Sequence, residues 1–210
     1  MKLTHCLATG ILLLTTLGAS AALQLFTDGR TIAPDSPIGL VSYGNYTDAN
    51  VGDHVMGTTV GLNLSGGYNG NLYAYLVAPN GTMVVLLNEP GVSVNAFGAS
   101  GAGLNITLTS AFTSQGNIQN VTSSDVLTGA YNAAGNLADF GIGTAPGGLI
   151  NGTWTLYFSD QTSGGGTTTL NSWSLDFSPV PEPVNVTLRV FGALLLAMTT
   201  ARCWASKIGR

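Results

Sequence analysis

Between Leu7 and Arg202 the chain has no cysteine, and between Ala22 and Pro183 it has one basic residue, Arg30. The first absence excludes a disulfide framework and a thiolate metal site from the body, which must be held by its core alone. Cys6 and Cys203 lie in the terminal segments. The second absence leaves all ten acids facing one base over residues 22–183. Such a body repels phosphate backbones, so no nucleic-acid partner is expected. Histidine is scarce too, with His54 the last in the chain, and no serine sits in a Gly-x-Ser-x-Gly turn. With so few groups to build a nucleophile–base pair, no catalytic residue is assigned and the expectation is a protein that is not an enzyme.

What the sequence does have is glycine, 29 of 210 residues, together with abundant Thr, Ser and Asn. That composition points to strands joined by tight turns. The two ends differ from it. Lys2, the apolar Ile11-Leu12-Leu13-Leu14 and the small-residue Ala19-Ser20-Ala21 have the order of a secretory signal peptide cleaved after Ala21. At the other end Pro181-Glu182-Pro183 precedes an apolar stretch centred on Val190–Ala197, followed by Arg202, Lys207 and Arg210. This order resembles the PEP-CTERM sorting tail of exported bacterial proteins. The resemblance implies a transient membrane anchor, an exosortase-type sorting enzyme as partner, and delivery to the cell envelope or extracellular matrix. The expected division is a signal peptide at 1–21, one domain at 22–179 and a sorting tail at 180–210, since about 160 residues suit a single core.

Alternation of apolar and polar residues predicts half-buried strands. Val60, Leu62 and Leu64 share one face, as do Leu104, Ile106 and Leu108; Trp154, Leu156 and Phe158; and Trp173, Leu175 and Phe177. Asn71–Val77 and Met83–Leu87 flank Ala78-Pro79-Asn80-Gly81 and predict a hairpin. Residues 91–100 and 110–150 read as long loops with one or two short strands. A helix over 124–140 is the alternative there, weakened by Gly129 and Gly135. The fold class is all-β, a jelly-roll β-sandwich.

The same segments resemble a known family. Ile32-Ala-Pro-Asp-Ser-Pro-Ile-Gly39, Leu62-Asn-Leu-Ser-Gly66 with Tyr68–Leu76, Asn151-Gly-Thr-Trp-Thr-Leu156 with Asp160, and Leu170-Asn-Ser-Trp-Ser-Leu175 are similar to the P domain (P/Homo B) that follows subtilisin-like catalytic domains in proprotein convertases. The resemblance implies a module that stabilises a protease and carries no nucleophile itself. Asn71 stands where the family commonly has Asp, a change that bears on calcium binding.

Three further readings concern sites. Asp53 and Asp160 are the candidate calcium ligands, read from acids in loops beside strand ends, with solvated turn aspartates as the alternative. Tyr73 and Tyr75 are opposite in phase to Leu72, Ala74 and Leu76, which suits either an exposed carbohydrate-binding face or a second buried one. Seven Asn-x-Ser/Thr sequons occur, a number that a chain rich in Asn and Thr reaches by composition. The function expected is a structural or adhesive role in the envelope or matrix, with extracellular polysaccharide as a partner. The alternatives are an accessory role beside a separate subtilisin-like protease and a carbohydrate-binding module.

Overall fold

The computed structural model describes residues 23–35, 38–47, 55–111, 113, 115–140, 150–179 and 191. Ala19, Ala21, Asp53, His54 and the Pro181-Glu182-Pro183 motif, and with them the signal-peptide and sorting readings, lie outside the described residues.

Among the described residues nine strands form two sheets. They are β1 (Gln24–Ile32), β2 (Leu40–Tyr46), β3 (Val55–Gly66), β4 (Leu72–Val77), β5 (Met83–Asn88), β6 (Gly103–Thr109), β7 (Leu127–Tyr131), β8 (Gly152–Asp160) and β9 (Thr168–Pro179). One sheet has the order β1-β9-β3-β6-β7 and the other β2-β8-β4-β5. The architecture is an all-β sandwich. Every named pairing is antiparallel except β6 with β7, which runs parallel at the edge of the larger sheet.

Register turns the period-two pattern into a core. Leu62 on β3 lies opposite Ile106 on β6 and Trp173 on β9, and Leu76 on β4 lies opposite Leu156 on β8. The inner faces of both sheets are therefore continuous apolar surfaces, and each large side chain they bury contributes about 1.5–3 kcal/mol. Aromatic rings join the sheets. Trp154 is fully buried, with ring centroids 5.3 Å from Phe177 and 5.0 Å from Phe140, and its indole N–H donates to the Ile150 carbonyl at 2.8 Å. Trp173 packs on Phe26 at 4.4 Å and donates to Ser42 Oγ at 3.0 Å, crossing from one sheet to the other.

Local departures are informative. Between Ala74 and Tyr75 the β4–β5 register slips, which is why Leu86 and Leu87 are both buried. Adjacent residues on a regular strand point to opposite faces, and a bulge breaks that rule. The segment 124–140 holds β7 and the 3-10 turn Leu137–Phe140 in place of the alternative helix. Leu127 and Tyr131 anchor β7 in the core while Thr128, Gly129 and Ala130 are exposed, and the pairing with β6 overrides local propensity.

Candidate functional site

The outer face of the smaller sheet carries the most chemistry. Tyr73 and Tyr75 alternate with buried Leu72, Ala74 and Leu76, so their rings stand half-buried on that outer face. On β8, Tyr157 lies directly opposite Tyr75, and Ser159 opposite Tyr73. Tyr75 and Tyr157 stack with centroids 4.7 Å apart and planes at 19°. Tyr73 meets Tyr75 edge-on at 6.1 Å and 63°. The tyrosines therefore make a corner of two ring walls and not one flat platform.

Gly39, just before β2, makes room for this arrangement. Its φ is +60°, and a Cβ there would fall 2.3 Å from the Phe158 carbonyl and 2.7 Å from the Tyr157 ring. Only glycine tolerates both the backbone and the contact.

A cavity of about 560 Å³ opens beside the corner, with Ser159, Gln161, Asn88 and Glu89 completing its lining. Gln161 Nε2 donates to Ser159 Oγ. The Asn88 backbone is clamped by Gln119: its N–H donates to Oε1 at 3.1 Å, and its carbonyl accepts from Nε2. Glu89 extends the β4–β5 ladder by donating to the Leu72 carbonyl at 2.8 Å, yet has φ +52°, unusual for a non-glycine residue. It also borders a second cavity of about 350 Å³, which lies against Tyr68, Asn71, Phe97 and the Thr162–Gly165 loop. The sole ion pair among the described residues joins Asp28 and Arg30, so Glu89 has no ionic partner there.

Sequence reasoning reached Tyr73 and Tyr75 but missed Tyr157, Ser159, Gln161, Asn88 and Glu89. For Tyr157 a signal existed, its outward phase between Leu156 and Phe158. Only strand register shows that it meets Tyr75.

Asp160 differs from its reading as a loop aspartate. It is the last residue of β8 and fully buried. Oδ1 accepts from the Thr162 N–H at 3.3 Å, Oδ2 has no hydrogen-bond partner, and burial pushes the carboxyl above its ordinary range, opposed by the Thr162 N–H. Calcium takes about six to eight oxygen ligands. Here Asn71 Nδ2 donates to the Thr162 and Gly164 carbonyls at 3.3 Å each, so a nitrogen engages the oxygens that a cation would need. No cluster of three or more acid, histidine or cysteine side chains that could hold a metal exists among the described residues.

The profile of the proprotein convertase P-domain matches residues 55–177. No curated protein matches the chain. Solved structures similar to it include the serine protease of Aeromonas sobria, at 16% identity and TM-score 0.43, and that protease in complex with the chaperone ORF2, at 16% and 0.44. Each match covers 74% of this chain, which spans 26% of the protease chain. Since the profile covers more than half of the sequence, the chain belongs to the proprotein convertase P-domain family.

Proposed function

We propose that this protein is an exported, non-catalytic P-domain module with a structural or adhesive role in the cell envelope or extracellular matrix. The observation that carries this reading is where its surface is open. Both inner sheet faces are filled by packed Leu, Phe and Trp, while concave features lie outside, among them one on the tyrosine-lined face, one around Glu89 and one beside Asn132. That arrangement suits contact with a large polymer or partner better than turnover of an enclosed substrate. The signal-peptide pattern before Ala22 and the PEP-CTERM-like tail after Pro179 support export and sorting, with an exosortase-type enzyme acting on the tail.

Family membership favours a second reading, an accessory role in trans beside a subtilisin-like protease. Fractionation of producing cells separates the two. Recovery with the envelope and the extracellular polysaccharide, without a co-purifying protease and without cleavage of casein or a dibasic peptide, is the expected result. Recovery in a stoichiometric complex with a protease, or loss of that protease's stability when the gene is deleted, favours the accessory role. Protein confined to the cytoplasm overturns both.

A further inference from the structure

We propose that the groove walled by Tyr73, Tyr75 and Tyr157 binds a neutral polysaccharide through its hexose rings. This names the partner of the adhesive module proposed above, and rests on that reading only for bringing the protein and the polymer together.

The argument begins with the walls. Tyr75 and Tyr157 hold each other by stacking and Tyr73 abuts them edge-on, so the apolar surface is already ordered before a ligand arrives. Pre-ordered tyrosines give contact area at low entropic cost. A pyranose presents a C–H face that packs on an aromatic ring, and hydroxyls around its edge.

The rim matches those hydroxyls. Asn88 and Gln161 carry amides that both donate and accept, Tyr73 and Tyr75 carry hydroxyls, Glu89 adds an acceptor, and the buried Ser159 holds the Gln161 amide in place. A sugar hydroxyl also donates and accepts, whereas an ammonium ligand only donates and would leave the amide and hydroxyl hydrogens unused. Anionic ligands are disfavoured more strongly. Among the described residues no cation lines either cavity, Glu89 is negative, and residues 22–183 contain ten acids and one base. Charge complementarity therefore selects an uncharged polymer over an acidic one.

Glu89 borders both cavities. A chain of several sugars can run from the tyrosine corner past Glu89 toward Tyr68 and Phe97, the latter 74% exposed. The left-handed backbone of Glu89 is the one strained point along this path, and such strain is tolerated where surrounding structure holds it.

Affinity electrophoresis of the purified full chain tests the proposal, with dextran, mixed-linkage β-glucan or polyanionic alginate cast into native gels. Retardation by dextran or by the β-glucan, and none by alginate, is expected. Tyr73→Ala should weaken it about ten-fold, equivalent to about 1.4 kcal/mol, as should Gln161→Ala, which removes no core packing. Tyr43→Ala, on the same sheet but outside the groove, should migrate as the unaltered chain does. Retardation by neither neutral polymer, equal retardation by alginate, or unchanged binding in both groove variants overturns the proposal. Protein that stays with the extracellular matrix yet binds neither neutral polymer sinks the groove alone. Glycan binding by a protein absent from the envelope and matrix sinks the proposed location and leaves the groove standing.

Discussion

Trp173 shows how much one side chain carries in a domain whose described part has no cross-link. It is 1% exposed, packs on Phe26 with tilted rings and donates to Ser42 across the sheets. Its location between the sheets makes it a core residue and not a sugar platform. Trp173→Ala should cost about 3–5 kcal/mol, as truncation of a buried aromatic does, from a stability of typically about 5–15 kcal/mol. Trp173→Phe keeps most of the packing but leaves Ser42 without its indole donor, a loss of about 1 kcal/mol. Ser174, half-buried on the other face of β9, should tolerate alanine with little change. Thermal melts of the three variants check this order, and a Trp173→Ala melt equal to that of the unaltered chain contradicts the packing argument.

At the scale of elements, the weak point of the sandwich is the side where β1 and β2, edge strands of different sheets, face each other. Arg30 closes it. Its guanidinium donates twice to Asp28, at 2.6 Å each, and once to the Val41 carbonyl on β2 at 2.9 Å. The β1 register slips between Thr27 and Arg30. The Arg30 hydrogen bond, aided by Ser42, holds the Asp28 carboxyl below its usual range. A carboxyl whose folded pKa is lowered adds stability above its unfolded pKa and loses that contribution as pH falls through the folded value. Arg30→Ala should therefore destabilise the protein at neutral pH by about 1 kcal/mol, the worth of a partly exposed ion pair, since Asp28 keeps the residue-30 N–H and Ser42 as donors. The gap from the unaltered chain should narrow below about pH 4. Melts from pH 7 to pH 3 measure it, and a gap that widens on acidification contradicts the assignment. Asp160 acts in the opposite sense. Its raised pKa contributes stability below the ordinary carboxylate value and loses it as pH rises through the folded one.

For the whole molecule, the decisive quantity is the mass of the delivered protein. The acidic body and the basic tail, with Arg189, Arg202, Lys207 and Arg210, have different roles if the tail is a sorting signal. Intact mass spectrometry of surface-recovered protein should then give a chain that starts at Ala22 and lacks everything after about Pro183, Cys203 included. A species running from Ala22 to Arg210 removes the sorting claim while leaving the P-domain assignment intact.

The strand phases of β3, β6, β8 and β9, and the burial of Trp154 and Trp173, were legible in the sequence because burial on one face imposes a period of two, which is local. The β4–β5 hairpin was legible for the same reason, with Pro79 and Gly81 marking its turn. The strands β1 and β2 carry no such pattern. Glycines interrupt both, and β1 has a bulge that breaks the alternation. Only the tertiary structure decided that Tyr157 meets Tyr75, that Glu89 joins two cavities, and that Asn71 turns its amide nitrogen toward the loop after Asp160. Each depends on register between strands far apart in sequence, or on backbone geometry at one residue, and neither leaves a periodic trace in the chain.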